Sequence, residues 1–151
     1  MSDKPSYVYV IYIHSTPEKV WHALTDAGLT ASYWGHSNVS DWRPGSRWEH
    51  RRLDGSGIAD VVGTVVESEP LTRLVTVWAD PADEDDPAKQ SRVTFDIQPH
   101  ADIVRLTVTH EELPDESALG EVSLGWPAVL SNLKSLLETG STLPQEPWLM
   151  P

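Results

Sequence analysis

The stretch VRLTVTHEELPDESALGEVSLGWPAVLSNLKSLLETG, Val104 to Gly140, decides the fold because its hydrophobic period changes part-way along. Val104, Leu106 and Val108 alternate with polar residues, and this period of two predicts a half-buried strand. Further along, apolar residues recur at helical spacing and predict an amphipathic helix over 121–140. A helix with one apolar stripe has to bury it, here against the sheet that contains the strand. The stripe consists of Trp126, Val129, Leu130, Leu133, Leu136 and Leu137.

The rest of the chain predicts further strands and two short helices after the first strand. The first helix has Thr16 as N-cap and Pro17 at its first helical position, and the second ends at Gly35. Because the later strands follow one another through short turns, they predict an antiparallel sheet and an α+β fold class. The predicted strands span residues 7–14, 38–42, 47–52, 57–70, 71–80, 91–99 and 102–113.

The composition excludes several classes of function. A formal net charge of -12 argues against nucleic-acid binding and against a basic helix on a membrane surface, since both need clustered Lys and Arg. The chain has no Cys, and no apolar run approaches the roughly 18 residues of a membrane span. We therefore expect a cytoplasmic protein that neither binds nucleic acid nor inserts into a membrane.

The chain predicts one domain over residues 1–140 and a proline-rich tail over 141–151. The acidic run Asp80 to Asp86 is interpreted as a solvated loop, because its spacing does not match a calcium-binding loop. The histidines form neither an HxH nor an HExxH pattern, so we predict no metal site and no cofactor.

Five motifs occur in a familiar order over residues 7–139. They are STPEKVWHALTD with Trp34 downstream, DWRPGSRWE, GTVVESEPLTRLVTVW, LTVTHEEL and GWPAVLSNLKSLLE. Together they resemble the SRPBCC superfamily, which has the START-like helix-grip fold. Within it they are most similar to the AHSA-like branch (activator of heat-shock-protein-ninety ATPase homologue). The chain departs from the pattern at Ser46, where the family often has Gly, in the acidic insert at 80–88 and in the tail.

This resemblance implies a curved seven-stranded antiparallel sheet wrapped around a long C-terminal helix, with two short helices after the first strand. It also implies an elongated cavity between the sheet and the long helix. Such cavities hold lipids, hormones or polyketides across the superfamily, and some members are enzymes. Many members of the AHSA-like branch have no assigned activity.

Strand alternation and helical spacing select the side chains expected to face this cavity. The set is mostly apolar with a few polar groups, as ligand pockets are. Core packing is the alternative interpretation for each Trp. The candidate ligand-binding residues are Trp34, Trp48, His50, Val65, Glu67, Trp78, Phe95, Val108, His110, Trp126, Leu130 and Leu133.

Two titratable candidates keep more than one interpretation open. His110 is interpreted as a hydrogen-bonded histidine near a strand end, as a pocket-lining group or as an acid–base catalyst. Its hydrogen-bond partner would be Glu67, a Trp N–H or water. Glu67 faces the cavity, or it is exposed and paired with Arg73. No catalytic residue is assigned.

Three functions follow as hypotheses. The first is a binding protein for a small apolar or aromatic ligand. The second is a cyclase, dehydratase or hydrolase that uses His110 or Glu67 as acid or base. The third is a cochaperone-like interaction module, whose partner would be another protein or a second copy of the chain. Its acidic surface would suit a basic partner.

Overall fold

The structure is a computed structural model that describes residues 3–151, so the first two residues of the predicted domain lie outside it. Its strands are β1 (Tyr7–Ile13), β2 (Ser37–Val39), β3 (Arg47–Arg51), β4 (Ala59–Glu69), β5 (Arg73–Trp78), β6 (Ser91–His100) and β7 (Ile103–Glu111). Its α-helices are α1 (Pro17–Thr25), α2 (Ala27–Trp34) and α3 (Glu116–Thr139). Among the described residues, no helix is long and apolar enough to cross a membrane.

All seven strands form one antiparallel sheet in the order β1-β7-β6-β5-β4-β3-β2. The chain therefore runs along the sheet by hairpins from β2 to β7, and β7 then pairs with β1 at the far edge. The core lies between the concave face of this sheet and the three helices. This confirms the α+β helix-grip architecture.

Helix α3 begins earlier than the predicted start at residue 121. Asp115 is its N-cap, and the Asp115 carboxylate accepts a 2.8 Å hydrogen bond from the Ala118 N–H. The helix ends at Gly140, which has a φ of 86° in the left-handed region that favours glycine. The early start matters for the site because it extends the helix along the ends of β5, β6 and β7.

Strand β2 is shorter than the predicted strand over 38–42. The chain leaves the sheet after Val39, and Trp42 adopts a φ of 59° in the left-handed region. The Trp42 indole N–H donates a 2.8 Å hydrogen bond to the Thr25 carbonyl at the end of α1. This tertiary contact outweighs the strand preference of the residues that follow Val39.

Strand β4 contains an irregularity that alters its facing pattern. Val65 pairs with Thr76, but Glu67 pairs with Val75, so Val66 is an extra residue in the ladder. Gly63 on the same strand is a point of close approach between neighbouring strands. A Cβ atom on Gly63 would lie 1.6 Å from the Val77 carbonyl oxygen.

The tail folds back over the helices. The Asn132 side chain on α3 is buried, and its carbonyl oxygen accepts a 3.0 Å hydrogen bond from the Leu143 N–H. The Trp148 ring lies over Gly35, so closely that a Cβ on Gly35 would be 2.2 Å from it. Residues 143–149 therefore lie against α2 and α3.

Candidate functional site

Aromatic rings fill the centre of the fold. The Trp78 ring centroid lies 5.9 Å from that of Trp34, 5.4 Å from that of Trp48 and 5.5 Å from that of Trp126. The Phe95 ring packs edge-on against Trp126 at 5.7 Å. The void left beside these rings measures about 10 Å³, which is roughly the space of one water molecule. At the centre of the fold, side chains thus occupy the space where the resemblance implied an elongated cavity.

Besides Trp126, half of the predicted ligand-binding residues are buried core residues in this arrangement. The Trp48 indole N–H donates a 2.9 Å hydrogen bond to the Val77 carbonyl, which satisfies its one polar group within the sheet. The other side chains of this group are apolar and pack on one another. These core residues are Trp48, Val65, Phe95, Val108, Leu130 and Leu133.

Room for a ligand lies at one end of the ring cluster. An open cleft runs between the first turns of α3 and the ends of β5, β6 and β7. Its polar lobe has a volume of about 370 Å³ and is lined by Ser91, by His110 and by several carboxylates at its rim. Its aromatic lobe has a volume of about 170 Å³. The lobes share Trp78, Glu121 and Val122. Four predicted site residues border the cleft: Trp34, Trp78, His110 and Trp126.

His110 is held by two hydrogen bonds at the inner end of the polar lobe and is only 2% exposed. The Trp126 indole N–H donates to His110 Nδ1 over 3.1 Å, and His110 Nε2 lies 2.8 Å from the Ser91 hydroxyl oxygen. An indole nitrogen only donates, so Nδ1 must be the unprotonated acceptor and the ring proton sits on Nε2. Burial lowers the pKa of His110 to about 4, so the ring is neutral at pH 7.

This tautomer decides what the pair of His110 and Ser91 can do. The Nε2–H donates to the Ser91 oxygen, so Nε2 has no lone pair with which to take the Ser91 proton. Serine activation by a histidine base needs the opposite arrangement. Instead, Ser91 keeps its own O–H to offer as a donor at the cleft. Of the three partners considered for His110, a Trp N–H is the one observed.

His50 belongs to a different polar cluster and does not border the cleft. Its Nδ1 hydrogen-bonds to the side-chain oxygen of Asn38, and its ring stacks on His36 with centroids 4.1 Å apart. His36 Nε2 in turn lies 2.8 Å from an Asp60 carboxylate oxygen. Burial, with the neighbouring His36 charge as a smaller cause, lowers the pKa of His50 to about 3.

Glu67 does not face the interior, so its predicted place in the cavity is wrong. The extra residue Val66 reverses the alternation after Val65 and turns Glu67 to the convex face. There the Arg73 guanidinium lies 3.3 Å from Glu67 and 3.1 Å from Asp96. The exposed ion pair with Arg73 is the correct interpretation, and His110 and Glu67 cannot act on a shared ligand.

Sequence reasoning missed Ser91, Glu121 and Val122, which border the cleft. Val122 lies one helical turn before Trp126, so extending the apolar stripe of the helix backwards would have found it. Ser91 and Glu121 carried no such signal, because their placement depends on how the strands and the helix meet. Within residues 3–151, no group of three or more His, Asp or Glu side chains could hold a metal ion.

Comparison with known proteins gives the family. Residues 14–138 match the family model of Activator of Hsp90 ATPase homolog 1-like proteins, abbreviated AHSA1. The chain belongs to this family. The match covers most of the sheet and nearly all of α3, including the residues that border the aromatic lobe. No curated protein sequence matches this AHSA1-like chain.

Solved structures share the fold. Protein MLL2253 from Mesorhizobium loti is 27% identical with a TM-score of 0.74, over 88% of this chain and 96% of that protein. The Aha1 dimer from Colwellia psychrerythraea is 20% identical with a TM-score of 0.73, over 90% of this chain and 98% of that protein. PFC0360w, an HSP90 activator from Plasmodium falciparum, is 22% identical with a TM-score of 0.70, over 87% of this chain and 95% of that protein.

Proposed function

We propose that this AHSA1-like chain is a cytosolic small-molecule-binding protein whose ligand sits in the cleft beside the first turns of α3. The observation that supports it best is the aromatic lobe, which is bordered by Trp34, Trp78 and Trp126. It shares Trp78 with the polar lobe that contains His110 and Ser91. Apolar walls with a few placed polar groups are typical of ligand sites. An aromatic or apolar group would rest on the indoles, and the Ser91 hydroxyl would orient a polar substituent.

Binding is favoured over catalysis for a specific reason. Among the described residues that line the cleft, His110 is the one buried titratable group, and its Nδ1 accepts the Trp126 N–H. Its Nε2 carries the proton that bonds Ser91, and its low pKa keeps the ring from serving as an acid near pH 7. A residue held in this way stiffens the floor of a binding site.

A matched pair of variants tests the location of the site. Val122→Trp places a large ring in the cleft, because Val122 borders both lobes. Leu124→Trp adds a ring on the same helix, where the side chain is 70% exposed. Compounds from a library of aromatic and lipid metabolites are first identified with the unaltered protein by thermal shift and native mass spectrometry. Binding should be lost in Val122→Trp and kept in Leu124→Trp. Equal binding by both variants, or no compound bound by the unaltered protein, would contradict the proposal.

A second candidate function is interaction with another protein. Val8 and Tyr12 lie on the same face of edge strand β1 and are 57% and 52% exposed. The family takes its description from activators of a chaperone ATPase, and a basic partner would suit the net charge of -12. The test is a pull-down at low and high salt with the unaltered chain and a Val8→Lys, Tyr12→Lys double variant. A partner retained equally by both proteins would not use this face.

A further inference from the structure

The aromatic lobe of the cleft presents three indole rings to one small space. Trp34, Trp78 and Trp126 lie with every pair of centroids between 5.4 and 5.9 Å, in tilted or edge-on contact. The space they border measures about 170 Å³ and is also lined by Val122 and Val129, which lie on α3 with Trp126. Indole faces are the aromatic surfaces that attract a cation most strongly.

The charge at the cleft has the sign that would attract a cation. Asp80 and Glu121 border it, and neither carboxylate has a hydrogen bond or ion pair with any other group in residues 3–151. Lys89 is the one basic side chain at the cleft among these residues, and its ammonium lies 3.8 Å from Asp83. Glu121 lines both lobes, so a negative charge stands at the edge of the space that the indoles border.

Within this cleft, the described residues offer an anionic ligand no comparable place. The start of α3 borders the polar lobe, and a helix N-terminus does favour negative charge. A carboxylate already stands at that position, because Asp115 is the N-cap and accepts the hydrogen bond from the Ala118 N–H. An added anion would meet Asp115, Asp80 and Glu121 with little to offset them.

We propose that the ligand of this cleft is an organic ammonium ion, with its cationic head against the indoles of the aromatic lobe and beside Glu121. The hydrocarbon part of the ligand would cover the Val122 and Val129 side, and the Ser91 hydroxyl would meet a polar substituent. This inference rests on the proposed binding function and narrows it to one class of ligand. It distinguishes a positively charged amine from the neutral aromatic compound that the indoles alone would suit.

Three probes that differ only in head group test the inference. They are benzyltrimethylammonium, its neutral counterpart neopentylbenzene and the anion benzylsulfonate, each titrated by tryptophan fluorescence and native mass spectrometry. We expect the ammonium probe to bind about tenfold more tightly than the neutral one, and the sulfonate not to bind measurably. The affinity of the ammonium probe should fall with added salt, while that of the neutral probe should not.

A pair of charge variants completes the test. Glu121→Gln should lower the affinity of the ammonium probe about threefold and leave the affinity of the neutral probe unchanged. Glu116→Gln removes a charge from the same helix at a residue outside the cleft lining and should change neither affinity. The charge preference is overturned if neopentylbenzene binds as tightly as the ammonium probe. It is also overturned if Glu121→Gln changes the affinity of neither probe. In both cases the binding function stands. If no probe binds and the metabolite library also yields nothing, both are overturned.

Discussion

The Trp126 indole nitrogen lies 3.1 Å from His110 Nδ1, and this hydrogen bond places the histidine proton on the opposite ring nitrogen. The two residues come from different elements, α3 and β7, and meet at the inner end of the cleft. This contact therefore links the position of α3 on the sheet to the tautomer of His110 and to the shape of the candidate site.

Replacing the indole should release this constraint. In Trp126→Phe, Nδ1 loses its donor, so the neutral form of His110 loses a stabilising bond and the pKa of His110 should rise. The free energy of unfolding should fall by about 1–3 kcal/mol, because a buried acceptor is left unpaired. Ring nitrogen chemical shifts across a pH titration measure the pKa, and Trp148→Phe is the control. An unchanged pKa of His110 would show that the bond does not control it.

The two buried histidines predict sensitivity to acid. The pKa values of His110 and His50 are lowered to about 4 and about 3 from the usual value near 6.5. Below about pH 6.5 the unfolded chain binds protons that the folded chain does not, so the free energy of unfolding falls as the pH falls. The slope is about 1.4 kcal/mol per pH unit for each histidine.

Urea unfolding at pH 7 and pH 5 checks this. We expect the free energy of unfolding to fall by about 2 kcal/mol or more from pH 7 to pH 5. The carboxylate most strongly shifted is Asp60, with a pKa lowered to about 2 by Arg52 and His36, and it titrates well below this window. A His50→Gln, His110→Gln variant should show a flatter profile. A flat profile in the unaltered protein would contradict the prediction.

Gly63 should tolerate no side chain. A Cβ there would lie 1.6 Å from the Val77 carbonyl oxygen and 2.7 Å from the Trp48 indole nitrogen, so the strands would have to separate. Gly63→Ala should cost about 3 kcal/mol or more in thermal or urea unfolding. The control is Gly120→Ala in α3, where a Cβ would meet nothing within 4 Å, and it should stabilise the protein by up to about 1 kcal/mol. Similar stabilities for the two variants would contradict the close approach.

The convex ion pair should be unimportant for the site. Glu67→Gln removes a carboxylate that is 40% exposed beside Arg73, and exposed pairs contribute about 0–1 kcal/mol. We expect a small change in urea midpoint and no change in the affinity of any ligand found for the cleft. A loss of affinity larger than that caused by Glu121→Gln would mean that Glu67 reaches the ligand after all.

Much of this protein was determined by its sequence alone. The change of hydrophobic period after β7 predicted α3 and the sheet it covers, because a single buried face imposes a period of two on a strand and of 3.6 on a helix. The motifs predicted the helix-grip fold, and the order and type of the elements are as expected. The Trp residues at the centre were also found, since residues of that size and character are seldom left outside a core.

The tertiary structure decided what the central residues do. One extra residue, Val66, moved Glu67 from the concave to the convex face, and no local pattern marks such an insertion. Where the resemblance implied an elongated cavity, the structure has a filled ring cluster with an open cleft beside it, because available space depends on how closely the rings pack. Likewise, Ser91 and Glu121 come to one cleft, and Trp126 to His110, only through the placement of α3 on the sheet. Strand and helix periods fix which face a residue takes, but the distances between elements set the chemistry at the site.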